Sequence, residues 1–247
     1  MTSAHAQSQY QVRFDWGLEG ARTIAEGADV IVVIDVLSFT TAVDIATSLG
    51  AEVIASTEPD AAALAERLDA VLAVARGADG PSLSPASLAT LRPGARLVLP
   101  SPNGSALSAA LVEHPAIVVA GSLRNRRAVA DWALAQQGDK GDRFTIAVIA
   151  SGEALADGST RFAVEDLLAA GAVIDALADV GIDYCSPESA AAAAAFTGLR
   201  NATGHLIGAS ASGRELAEAG YRGDIDLAID LDVSSAVPVL GEFGFRA

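Results

Sequence analysis

The feature that most constrains the fold is a run of five consecutive aliphatic residues, Val30–Ile34, followed at once by an acid, Asp35. A strand that is aliphatic at every position is typical of a parallel sheet that helices cover on both faces. An acid directly after such a strand lies at the edge where α/β proteins bind their ligands. Asp35 is therefore the first candidate for a functional residue.

Apolar segments of strand length alternate with helical patterns along the rest of the chain. The predicted strands are residues 10–14, 30–35, 52–56, 71–75, 96–100, 117–120, 144–150, 226–230 and 237–240. The predicted helices are residues 40–49, 59–68, 105–112, 126–136 and 162–180. This alternation predicts an α/β fold, a layered α/β/α sandwich around a largely parallel or mixed sheet.

Two segments interrupt the alternation. Residues 77–85 are rich in Gly, Pro and Ser and predict an irregular surface loop. An alanine run in residues 187–195 has strong helix propensity, and we predict a helical chain from there to about residue 218. We expect residues 1–247 to form a single domain, because no shift of composition marks a linker; the alternative is a loosely defined C-terminal subdomain from about residue 183.

The charge balance limits the partners of the protein. The 31 acidic and 16 basic residues give a net charge of −15 at pH 7. We therefore expect binding neither to nucleic acid nor to membrane surfaces. An anionic ligand must be held locally, by a bound cation, by backbone N–H groups or by a few arginines.

The sequence also predicts a cytoplasmic location. No apolar segment approaches the roughly 20 residues that span a bilayer, and the first eleven residues lack the pattern of a secretory signal. Cys185 is the single cysteine of the sequence, so no intrachain disulfide can form.

Polar residues follow Asp35 and form the first candidate site with it. The hydroxyls of Ser38, Thr40 and Thr41 can cap a helix whose free N–H groups face an anion, so we predict that all three contact substrate. Asp35 is interpreted as a metal ligand or a nucleophile. The alternative is that its carboxylate only caps the next helix.

A second candidate segment is Asn103-Gly104-Ser105, where a predicted strand ends in a turn that opens a helix. Glycine permits unusual backbone conformations, asparagine tolerates them, and free N–H groups at a helix start bind anions. The segment predicts a cradle for an anion. An ordinary connection between strand and helix explains it equally simply.

Glu165 and Asp166 form a third candidate, in the early turns of the predicted helix 162–180. Carboxylates there are stabilised by the helix dipole, and that explanation requires no active site. They are also the hard oxygen ligands that Mg²⁺ prefers. The sequence leaves both interpretations open.

Other charged residues are further candidates for the site. Period-two spacing places Asp224, Asp226 and Asp230 on one face of the predicted strand 226–230, where most are expected to be solvated. Arg76 is a predicted substrate contact, because the planar guanidinium suits phosphate, sulfonate or carboxylate.

Taken in order, short segments of the chain resemble the 2-phosphosulfolactate phosphatase family over nearly the full length. These segments are Ile34-Asp35-Val36-Leu37 with Thr40-Thr41, Asn103-Gly104-Ser105, Ala120-Gly121-Ser122-Leu123 with Asn125, Ser151-Gly152-Glu153, the run from Glu165 to Gly171, Gly213 with Leu216, and Asp224-Ile225.

This resemblance implies an Mg²⁺-dependent hydrolase that removes phosphate from a small phosphorylated acid, the namesake substrate belonging to coenzyme M biosynthesis. It also implies a homodimer. Carried onto this sequence, it implies that Asp35, Glu165 and Asp166 form the metal and reacting centre, with Asp35 and Glu165 catalytic. Asn103, Gly104 and Ser105 become contacts to the phosphate.

Two alternative functions remain at this point. Phosphatases of the haloacid dehalogenase type also use an aspartate after a strand, but they typically carry a second acid where this chain has Leu37. A catalytically silent anion-binding protein is the other alternative, because Ser38 and Ala75 stand where many relatives have Arg and Glu. Whether Asp35 is a ligand, a base or a nucleophile stays open.

Overall fold

A computed structural model gives the fold and describes residues 4–138, 144–155 and 157–247, without the side chain of residue 58. The strands are β1 Val12–Trp16, β2 Val30–Ile34, β3 Glu52–Ser56, β4 Val71–Leu72, β5 Arg96–Pro100, β6 Ile117–Gly121, β7 Ile146–Ala150, β8 Glu153–Ala154, β9 Thr160–Arg161, β10 Val239–Leu240 and β11 Phe245–Arg246. The α-helices are α1 Gly17–Ile24, α2 Phe39–Ser48, α3 Glu58–Leu68, α4 Gly104–Ala110, α5 Arg126–Gln137, α6 Val164–Asp179, α7 Pro187–Leu199, α8 Thr203–Ala209, α9 Ala211–Glu218 and α10 Arg222–Ala228.

The described residues form one nine-stranded sheet in the order β1-β7-β2-β6-β10-β11-β3-β5-β4. Strands β1, β7, β2 and β6 pair in parallel, as do β3, β5 and β4. The antiparallel pair β10 and β11 joins these two groups. The predicted largely parallel or mixed sheet is confirmed.

Helices cover both faces of the sheet because successive side chains of each aliphatic strand point to opposite faces. In β2, Val30, Val32 and Ile34 pack in the cluster that contains residues of α5, α6 and α7. Ile31 and Val33 face the opposite cluster, with residues of α1 and α4. A strand buried at all five positions is what its uninterrupted aliphatic sequence predicts. The predicted layered α/β/α sandwich is confirmed.

The predicted strand 226–230 is wrong, because residues 222–228 form helix α10. Ile225 and Ala228 are both buried, and their spacing of three is that of a helix face. Acids and apolar residues alternate in this segment, and that alternation is typical of a strand, so it favoured the wrong element. As a result Asp224, expected on a solvated face, is buried.

Other differences are smaller. The predicted strand 71–75 shortens to β4, beyond which Val74 forms only an isolated bridge with Ser82. Helix α1 and strand β11 were not predicted. Residues 187–218 are helical as expected, divided among α7, α8 and α9. The last strands lie inside the sheet between β6 and β3, and the division into domains stays a prediction. Among the described residues, no helix has both the length and the apolar character to cross a membrane.

Helices α6 and α7 approach each other most closely at Gly171. A Cβ atom there would lie 2.1 Å from the Ala192 carbonyl oxygen and 3.0 Å from the Phe196 Cβ. We expect Gly171→Ala to lower the free energy of unfolding by about 1–3 kcal/mol, because the backbone of α7 must move. Gly198→Ala, on α7 with no atom within 4 Å of the added carbon, is the matched control and is expected to stabilise by about 0.5–1 kcal/mol. Urea unfolding measures the free energy of unfolding of both variants. A shift in the same direction for both would contradict the close approach of α6 and α7 at Gly171.

Candidate active site

The turn between β2 and α2 fixes the position of Asp35, which is 4% exposed. The Asp35 carbonyl oxygen accepts hydrogen bonds from the Thr40 N–H at 2.8 Å and from the Thr40 hydroxyl at 2.9 Å. The Thr41 hydroxyl donates to the Val36 carbonyl oxygen at 2.8 Å. Both hydroxyls are fully buried and serve the turn. Their predicted contact with substrate is untested and gains no support from these bonds.

The start of α4 lies directly against the Asp35 carboxylate. The Gly104 N–H donates to Asp35 Oδ2 at 2.6 Å, and the Ser101 hydroxyl lies 3.4 Å from the same oxygen. The predicted anion cradle at Gly104 therefore holds a carboxylate of the protein itself. Glycine is required for this approach, since a Cβ atom at residue 104 would lie 2.6 Å from Asp35 Oδ2.

Asn103 and Ser105, on either side of Gly104, have different surroundings. The Ser105 hydroxyl is fully buried, donates to the Ser56 and Leu99 carbonyl oxygens and accepts from the Ser56 N–H. It thus ties α4 to β3 and β5. Asn103 Oδ1 accepts from the Ala154 N–H at 3.0 Å, and the residue lines a cavity. Of the pair, Asn103 is the one placed to meet a ligand.

Glu165 and Asp166 lie in the first turn of α6, as predicted. Asp166 Oδ1 accepts from the Val36 N–H at 2.9 Å and Oδ2 from the Gly152 N–H at 3.0 Å, so this carboxylate joins the ends of β2 and β7. Glu165 Oε1 accepts from the Ser212 hydroxyl at 2.5 Å. Ser212 was not among the predicted site residues; it lies on α9 beside Gly213, which the family resemblance includes only as a matching residue.

The surroundings of the cluster raise the pKa values of Asp35 and Asp166. Burial raises the pKa of Asp35 to about 6, and the negative charge of Glu165 adds to this rise, while the Gly104 and Phe39 N–H groups oppose it. Burial and the charge of Asp35 likewise raise the pKa of Asp166. Within the described ranges, no basic side chain forms an ion pair with any of the three. The cluster therefore concentrates negative charge that the protein leaves unbalanced.

These groups suit a hard divalent cation by their chemistry. Carboxylate oxygens are the donors that Mg²⁺ prefers, and one or two of them with several waters usually suffice. The Ser151 hydroxyl, at the end of β7, is buried without a hydrogen-bond partner and adds an unused oxygen donor nearby. Across residues 4–138, 144–155 and 157–247, however, no three His, Cys, Asp or Glu side chains converge as a complete ligand set. The site fits an ion that keeps its waters.

A cavity of about 320 Å³ opens beside the carboxylates. Its lining includes Asn103, which precedes Gly104, and Ser212, which contacts Glu165, and also Glu153 and Arg76. Glu153 forms an ion pair with Arg161 at the rim. Arg76 donates to the Ser38 hydroxyl at 2.9 Å and forms an ion pair with Asp224. The structure thus brings together Asp35, Ser38, Arg76, Asn103, Gly104, Glu165 and Asp166, and adds Ser212 and Asp224.

Comparison with known proteins identifies the family of the chain. The model of the 2-phosphosulpholactate phosphatase family matches residues 19–242. A protein of Deinococcus radiodurans named "Probable 2-phosphosulfolactate phosphatase" is 31% identical over 221 residues, which cover 86% of this chain and 88% of the relative. The matched residues include the whole carboxylate cluster. The chain belongs to the 2-phosphosulpholactate phosphatase family, a family of phosphate-releasing hydrolases.

Proposed function

We propose that the chain hydrolyses the phosphate monoester of a small phosphorylated acid, 2-phosphosulfolactate or a related phosphorylated hydroxy acid, with Mg²⁺ as cofactor. Family membership supports the reaction, and the name of the relative supports the substrate. The observation that carries the proposal is the buried cluster of Asp35, Glu165 and Asp166, with which no basic side chain of the described residues pairs, beside a cavity lined by Arg76. A site of this charge binds a phosphate only together with a cation.

In this proposal carboxylates of the cluster Asp35, Glu165 and Asp166 would hold Mg²⁺ together with several of its waters, and the ion would neutralise charge on the phosphate oxygens. The chain itself supplies orientation. Asp166, through the Val36 and Gly152 N–H groups, holds the ends of β2 and β7 in register. The Ser212 hydroxyl orients Glu165, and the Gly104 N–H orients Asp35. Burial of these groups excludes bulk water, which strengthens their interactions with a charged substrate.

The roles of Asp35 and Glu165 follow from their surroundings. Asp35 Oδ2 is engaged by Gly104, and with a pKa of about 6 the carboxyl can exchange a proton near neutral pH. These observations support our proposal that Asp35 activates or carries out the attack on phosphorus. Glu165 accepts from Ser212 through Oε1, and we assign its other oxygen to the reacting centre.

A panel of phosphomonoesters tests the proposal, with 2-phosphosulfolactate and phosphorylated hydroxy acids as members. We expect phosphate release from at least one of these acids, at least about tenfold faster with Mg²⁺ than with a chelator, because the carboxylates repel an unaccompanied phosphate. Calorimetry runs beside the assay. Binding of a panel member without any release would instead support the silent anion-binding alternative and contradict the proposal.

We further propose a cytoplasmic homodimer. The family resemblance supports the dimer, and the single cysteine of the sequence supports the compartment. Light scattering of the purified chain tests the assembly: a mass near 25 kDa in place of twice that value would contradict it.

A further inference from the structure

We infer that Arg76 recognises a second anionic group of the substrate, a carboxylate or sulfonate, and that Asp224 is the positioning residue that holds Arg76 for this task. The inference rests on the proposed function, since it concerns the same cavity. It assigns to α10, a helix outside the carboxylate cluster, a part in substrate selection.

Arg76 is the basic group that the cavity offers. Among the described residues that line it, Arg76 is the only one with a positive charge, while Glu153 and Glu215 are acidic. Its side chain is 20% exposed, so the guanidinium is accessible without being free in solvent. In a chain with a net charge of −15, a second anionic group in this cavity needs local hydrogen-bond donors.

The guanidinium of Arg76 is fixed from three directions. Nη1 forms the ion pair with Asp224, Nη2 donates to the Ser38 hydroxyl at 2.9 Å, and the group lies 5.6 Å from the centre of the Tyr221 ring. A guanidinium has five N–H donors, and these described hydrogen bonds use two of them. The remaining donors form a planar array whose orientation is set in advance. Such an array matches the oxygens of a carboxylate or a sulfonate.

Asp224 itself is withdrawn from any ligand. The residue is 1% exposed, its Oδ1 accepts from the Ser84 hydroxyl at 2.6 Å and from the Ala86 N–H at 3.3 Å, and its Oδ2 is taken by Arg76. Both oxygens are therefore occupied by the protein. An acid in this position acts on the substrate through the arginine that it orients.

A purely structural ion pair is the competing explanation. Buried ion pairs contribute little net stability, because desolvation offsets the attraction. A structural role predicts that breaking the pair lowers stability and affects every substrate alike. A recognition role predicts a change in the preference between substrates that differ in one charge, and this difference makes the two explanations separable.

The experiment compares 2-phospholactate with isopropyl phosphate, which replaces the carboxylate by a methyl group. For Arg76→Gln we expect the ratio of their kcat/KM values to fall at least about tenfold, since a charged bidentate contact is lost. For Asp224→Asn we expect a fall of about three- to tenfold, expressed in the KM for 2-phospholactate rather than in kcat. The double variant is expected to match Arg76→Gln, because Asp224 acts through Arg76.

Asp226→Asn is the matched control, because Asp226 lies on the same helix but is exposed and paired with Arg222. We expect it to leave the ratio unchanged. Equal losses on both substrates in Asp224→Asn would overturn the inference, as would an unchanged ratio. If Asp224→Asn does not fold, Ser84→Ala removes the partner of Oδ1 and is expected to lower the ratio in the same direction.

A second measurement keeps this result separate from the proposed function. If the wild-type chain releases no phosphate from any ester of the panel, the proposed function fails, and the anion contact is then read from thermal unfolding with sulfoacetate. A rise in Tm with the wild-type chain that is lost in Arg76→Gln supports recognition by Arg76. The same rise in both proteins, or none in the wild type, overturns it.

Discussion

Asp35→Asn is expected to lower phosphate release at least about a thousandfold while the protein stays folded. Asparagine keeps an oxygen that can accept the Gly104 N–H bond, now 2.6 Å long, so the start of α4 can remain in place. It removes the charge that a cation needs and the group that exchanges a proton. Initial rates with the best substrate of the panel, at saturating Mg²⁺, measure the effect.

The same change is expected to stabilise the chain when no divalent cation is present. The pKa of Asp35 in the folded chain is about 6, above the ordinary value of 3.8 for an aspartate, because burial disfavours the ionised form. The folded state therefore binds this proton more tightly than the unfolded state. This contribution to stability is fully present below pH 3.8 and is lost as the pH rises through 6.

Asparagine is uncharged, so its burial does not destabilise the folded chain as burial of the ionised Asp35 does. At pH 8 with chelator we therefore expect Asp35→Asn to raise the free energy of unfolding by about 1–3 kcal/mol. Below pH 4 the advantage should disappear. Urea unfolding at both pH values measures this, with Asp131→Asn on the exposed side of α5 as a control. Turnover of Asp35→Asn within tenfold of the wild type would refute the assigned role of Asp35. A lower stability of Asp35→Asn at pH 8 would refute the claim that the buried charge of Asp35 destabilises the folded chain.

The parts of the site that could be predicted from sequence are those encoded by neighbouring residues. The aliphatic run of β2 determines burial on both faces, and the acid that follows it then lies at the strand end. Glu165 and Asp166 occupy the first turn of α6, the helix that follows β7 along the chain after the connection through β8 and β9. Local pattern and chain connectivity suffice for both.

The parts that could not be predicted depend on contacts between distant segments. Arg76 and Asp224 are 148 positions apart, and the pair forms only because α10 packs beside the irregular segment after β4. The sequence near Asp224 alternates acids with apolar residues, which favoured a strand with a solvated face. Attention to the spacing of Ile225 and Ala228 would have indicated the helix and a buried Asp224.

Hydroxyl groups show a further limit of sequence reasoning. Thr40 and Ser105 stand in the predicted segments, but each hydroxyl bonds to a backbone carbonyl oxygen that local sequence does not identify. A buried hydroxyl needs a hydrogen-bond partner, and a nearby backbone carbonyl oxygen often serves as that partner in place of a ligand. The residue types therefore predicted the polar turns correctly, whereas the direction of the Ser105 side chain depended on the packing of β3, β5 and α4.

Gly104→Ala is expected to lower turnover at least about a hundredfold and to destabilise the fold by about 1–3 kcal/mol. The added carbon would lie 2.6 Å from the Asp35 Cβ and Oδ2 atoms and 2.7 Å from a ring carbon of Phe39. Neither neighbour has room to move, because Asp35 is 4% exposed and Phe39 is fully buried. The start of α4 must shift away, and the 2.6 Å bond that orients Asp35 is then lost.

Gly208→Ala on α8 is the matched control, since its added carbon meets the nearest atom at an ordinary 3.8 Å. Its turnover and urea midpoint are expected to stay near those of the wild type. If turnover in Gly104→Ala falls much further than the loss of stability explains, the hydrogen bond from the Gly104 N–H acts on the Asp35 carboxylate and not only on the stability of the fold. Wild-type turnover in Gly104→Ala would show that the reaction does not depend on this contact, because a displaced α4 cannot donate to Asp35 at the same distance.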